Sequence, residues 1–143
     1  MNDFLKGFIL LFLFLLLDII KPFGFYLYIE FLFLGIVFCA LNIDFKQTFI
    51  LAFIFGYIKN LFLFENIISI LEFPIIVIII YYFKNRINPF LKFILICVLI
   101  LFHIALNNIY LGVSYFPLRF FIQSISIYYL FLNNKKCLSK NCI

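Results

Sequence analysis

The stretch Phe4-Leu-Lys-Gly-Phe-Ile-Leu-Leu-Phe-Leu-Phe-Leu-Leu-Leu-Asp-Ile-Ile20 carries only Lys6 and Asp18 as ionisable residues. It runs into Lys21-Pro22 rather than a small-x-small cleavage site, so it reads as a retained apolar helix and not as a signal peptide. Working outward, the same pattern recurs along the chain. A second run covers 25–43 and closes at Asp44 and Lys46; a third covers 47–64 and contains Gly56, Lys59 and Asn60. The fourth, 67–83, holds Glu72 and Pro74, and Lys84-Asn-Arg86-Ile-Asn-Pro89 is the clearest loop. Runs at 90–108 and 112–132 follow, then a basic tail at 133–143.

Of the residues, 68% are hydrophobic and 12% charged. A soluble domain is about half apolar and a quarter charged, so this composition predicts a chain that cannot clothe a water-facing surface. A membrane span takes about 20 apolar residues, and the length accommodates about six. Backbone amides in lipid must be satisfied within their own segment, which predicts helices; strand alternation is absent, which argues against a barrel. The expected fold is therefore all-α: a polytopic transmembrane helix bundle of about six spans, with short loops and no soluble domain, forming one integral membrane domain over 1–143.

Lysine and arginine placement predicts orientation. With the N-terminus inside, Lys6, Lys46, Lys84, Arg86, Lys92, Lys135, Lys136 and Lys140 fall on the cytoplasmic side. The expected location is the inner (cytoplasmic) membrane, with both termini cytoplasmic. The net charge of +5 does not point to nucleic acid, because the basic residues are scattered singly with no basic stripe. Phenylalanine, at 24 residues, reads as lipid-facing filler.

Cys39 and Cys97 sit in apolar runs as small core residues. Cys137 and Cys142 have no histidine nearby and too few ligands for zinc. No metal and no cofactor is expected. His103 and Asn107 stand four apart, but His103 is the only histidine, and no catalytic constellation accompanies it. The chain is expected not to be an enzyme.

Charges inside apolar helices cost about 2.5–3.5 kcal/mol on insertion scales, so each needs a reason. Glu65, Ser69 and Glu72 share one helical face, as do Arg119, Gln123 and Ser126, and Gly56, Lys59 and Asn60 lie together on a third. Facing stripes would pair Glu72 with Arg119 and Glu30 with Lys59. These residues either hold the bundle together or line a polar cavity for a small ligand. Gly56, Lys59, Asn60, Ser69, Glu72, Arg119 and Gln123 are thus the candidate partner or intrabundle contacts.

The middle of the chain, Phe53-Ile-Phe-Gly56-Tyr-Ile-Lys-Asn60 with the short turn to Asn66 and the run to Phe83, resembles the MreD family of bacterial rod shape-determining membrane proteins. Asn60 stands where that family usually has Asp. Phe116-Pro117-Leu-Arg-Phe-Phe-Ile-Gln123 and the basic tail are similar to the family's last span. The resemblance implies a non-enzymatic scaffold in the cell-wall elongation (peptidoglycan) machinery, touching membrane lipid and an MreC-like bitopic partner, the actin-like MreB and membrane-bound peptidoglycan synthases. The alternative is a substrate-binding subunit of an energy-coupling-factor vitamin transporter. Those subunits usually dock through Ala-x-x-x-Ala in the first helix, which has no alanine here.

Overall fold

The computed structural model describes residues 3–20, 30–63, 68–111 and 122–126. Among them every regular element is helical, as expected: α1 (Asp3–Ile20), α2 (Phe31–Asn42), α3 (Phe45–Leu63), α4 (Ile68–Lys84) and α5 (Pro89–Leu111), with a further helical segment at 122–126. The chain divides into two compact units, Met1–Arg86 and Ile87–Ile143.

In the first unit α2 is the central helix. Its side chains from Leu32 to Val37 are all buried, and it packs against α1, α3 and α4 while α3 lies along α4 and α1. The outer helices turn one stripe inward. On α1 the stripe is Gly7, Leu11, Leu15 and Asp18; on α3 it includes Thr48, Leu51, Phe55 and Lys59; on α4 it includes Phe73, Ile76, Val77 and Ile80. Their outer faces are also apolar. Tilted aromatic pairs join the helices, Phe8 with Phe55 at 5.3 Å and Phe45 with Tyr81 at 5.1 Å. Side chains fill the space over two glycines: a Cβ on Gly7 would lie 2.7 Å from the Ile43 side chain. One on Gly35 would meet the ring of Phe14 and lie 2.9 Å from Leu11.

Hydrogen bonds order the ends of the unit. Asp18 of α1 reaches the start of α2. The Tyr81 hydroxyl of α4 donates to the Ile43 carbonyl at 3.1 Å, and Lys84 donates to the Ala40 carbonyl at 3.5 Å. The helices therefore run alternately up and down. In the second unit α5 buries Ile96, Leu99, Ile100, His103 and Ile104 along one stripe.

The expectation of membrane-crossing helices is corrected. Among the described residues no helix is long and apolar enough to cross a membrane. Polar residues interrupt each one: the unbroken apolar runs are 7–17 in α1, 31–41 in α2, 49–58 in α3, 73–83 in α4 and 93–102 in α5. At 1.5 Å per residue each such run covers roughly 15–17 Å, about half of a hydrocarbon core of about 30 Å. The six expected runs were drawn through isolated polar residues such as Lys59 and Glu72, which break the apolar stretch within each helix.

Candidate functional site

α2 begins with N–H groups that no helical carbonyl can reach. Its N-cap residue, Glu30, makes no side-chain capping bond. Asp18, from the last turn of α1, performs the capping instead. One carboxylate oxygen accepts the Phe31 N–H at 2.7 Å and the other accepts the Leu32 N–H at 2.9 Å. A carboxylate at a helix N-terminus also meets the positive end of the helix dipole.

The Glu30 side chain is directed at Lys59 of α3, and the two form a buried ion pair, each side chain about 1% exposed. This is the Glu30–Lys59 pairing that facing stripes lead one to expect. The Lys59 ammonium also lies 5.3 Å from the centre of the Phe73 ring, within cation–π range. Glu72, beside Phe73 on α4, is buried as well. Four helices thus bring Asp18, Glu30, Lys59 and Glu72 to one end of the unit.

Among the described residues two carboxylates, Asp18 and Glu30, lie within the field of the Lys59 cation. Burial, and then the charge of Glu30, push the Asp18 carboxyl up to about 7 from 3.8, against the pull of the Leu32 and Phe31 N–H groups and of Lys59. Desolvating an ion costs several kcal/mol, recovered only where the hydrogen bonding is good. Chemically, the cluster can clamp α1, α2 and α3 in one register and hold or release a proton at Asp18.

The other expected residues are distributed as follows. Gly56 is buried on α3 and Asn60 half-buried. Ser69 belongs to α4, but its side chain lies outside the described residues, as does Arg119 altogether, and with it the expected Glu72–Arg119 pair. Gln123 is fully buried, and neither atom of its amide has a hydrogen-bond partner among the described residues. His103 is fully buried on α5. Among the described residues no group of three His, Cys, Asp or Glu side chains is placed to hold a metal ion.

Sequence reasoning missed Asp18, which it read only as an ionisable residue near the end of the first apolar run. The available signal was its place at the boundary of an apolar run, as Glu30 immediately precedes the run 31–41 and Lys59 immediately follows the run 49–58. It also missed Gly7 and Gly35, whose roles depend on which side chains face them.

No family model, no curated protein and no solved structure matches this chain.

Proposed function

We propose that the chain is a non-enzymatic, MreD-like scaffold of bacterial cell-wall elongation, associated with the cytoplasmic membrane and bound to an MreC-like bitopic partner. The observation that carries this reading is the apolar outer surface of the first unit. Leu13, Phe53, Leu61, Phe62, Leu71 and Ile75 are each half or more exposed. Scattered exposed leucines are ordinary, but apolar side chains on every outer helix call for lipid or protein cover. Apolar helical stretches of 10–14 residues occur in buried core helices and in interfacial or re-entrant segments; the apolar outer faces favour the second, a protein seated in one leaflet. The resemblance of 53–83 to the MreD helix pair supplies the cell-wall assignment.

Depletion in the chain's own host tests the proposal. Rounded or bulging cells and loss of directed wall synthesis are expected, with an MreC-like protein co-purifying in mild detergent. Normal cell shape, loss of uptake of one vitamin and co-purifying ATPase subunits would overturn it.

A further inference from the structure

The two ends of the first unit differ in charge and in exposure. At one end Asp18, Glu30, Lys59 and Glu72 are buried. The other end gathers the start of α1, the end of α2, the start of α3 and the end of α4, where Gly7 meets Ile43, Leu51 and Cys39. Among the described residues this end carries Lys6, Lys46, Lys84 and Arg86 against Asp3 and Asp44. Lys6 is paired with Asp3 at 3.0 Å, and Lys84 reaches the Ala40 carbonyl, which leaves Lys46 and Arg86 as the exposed cations with the least engagement. The Arg86 guanidinium lies 4.3 Å from the centre of the Tyr82 ring, and Lys84 lies 4.9 Å from that of Tyr81.

The exposed cations stand among exposed apolar side chains. Leu5 is one residue from Lys6, Phe45 one from Lys46, and Tyr82 lies beneath Arg86; all three rings or chains are more than a third exposed. An occupant that offers both negative charge and hydrocarbon fits this end. A nucleic acid supplies the charge without the hydrocarbon. An anionic leaflet supplies both, with tyrosines at the headgroup level where such rings settle.

We infer that this end of the unit docks on anionic phospholipid headgroups, with Lys46 and Arg86 taking the phosphates. The inference rests on the membrane association proposed above. The full chain is reconstituted in vesicles of equal phosphatidylcholine and phosphatidylglycerol, extracted in mild detergent and weighed by native mass spectrometry with its retained lipid. An excess of phosphatidylglycerol is expected on the wild type. Lys46→Gln with Arg86→Gln should lower that excess by about fivefold per cation, since each basic group near a lipid surface is worth about 1 kcal/mol. Lys46→Arg with Arg86→Lys, which keeps both charges, should retain it. Equal retention of the two lipids by the wild type, or an excess unchanged in the double glutamine variant, overturns the inference. Flotation with the same vesicles reads membrane association by itself. A chain that floats without a phosphatidylglycerol excess loses only the headgroup assignment, whereas one that fails to float loses both.

Discussion

Lys59 stands where its removal is most informative. Its ammonium is the only cation among Asp18, Glu30 and Glu72 within the described cluster, and it also touches the Phe73 ring. Lys59→Ala removes the ammonium that pairs with buried Glu30, and the expected loss is up to about 3–5 kcal/mol, read from denaturant unfolding in detergent. Lys59→Met with Glu30→Gln removes both charges and keeps the volume, so it should recover much of that loss; a double variant as unstable as Lys59→Ala would show that the pair does not couple. Asp18 makes a separate, pH-dependent forecast. Its pKa is raised by the fold to about 7 from 3.8, so the folded state holds this proton more tightly than the unfolded chain does. Its contribution to stability is therefore fully present below about pH 4 and is lost as the pH rises through about 7. Unfolding midpoints should fall between pH 5 and pH 8 more steeply in the wild type than in Asp18→Asn. Parallel profiles would show that Asp18 does not titrate in this range.

Between helices, contact depends on glycine. Gly35 faces Phe14 and Leu11 of α1 so closely that no Cβ fits without displacement. Interiors are close-packed and transmit such a displacement. Gly35→Leu should cost at least about 1–3 kcal/mol through overpacking and should loosen α1 from α2. Hydrogen exchange at the Phe31 and Leu32 amides, which Asp18 holds, checks this, and unchanged protection there would contradict it. The helices themselves were legible in the sequence, since α1, α3 and α4 begin and end within a few residues of the apolar runs. Their inward stripes were much less legible. With apolar residues on both faces, periodicity distinguishes the packed face from the outer one only where a polar residue such as Lys59 or Thr48 marks it.

For the molecule as a whole, the outer surface of the first unit decides behaviour. Replacing Phe53, Leu61 and Ile75, each half or more exposed, by serine should leave helix content and unfolding midpoint nearly unchanged. It should weaken flotation with vesicles by up to about 1.5–3 kcal/mol per side chain. Unaltered flotation would show that these faces do not meet lipid. The sequence by itself determined that the chain is helical and that its surface must remain apolar, because 68% hydrophobic residues exceed what any interior of this size can hide. It also suggested the Glu30–Lys59 pairing, through polar residues of neighbouring helices expected to face each other. Only the tertiary structure decided that Asp18 caps another helix, that side chains of neighbouring segments fill the space over Gly7 and Gly35, and that the cations and the buried carboxylates occupy opposite ends of one unit. Those are properties of which helices become neighbours, and in a chain so uniformly apolar nearly every pairing buries similar surface. Close packing and a few hydrogen bonds, not hydrophobicity, select the one that forms.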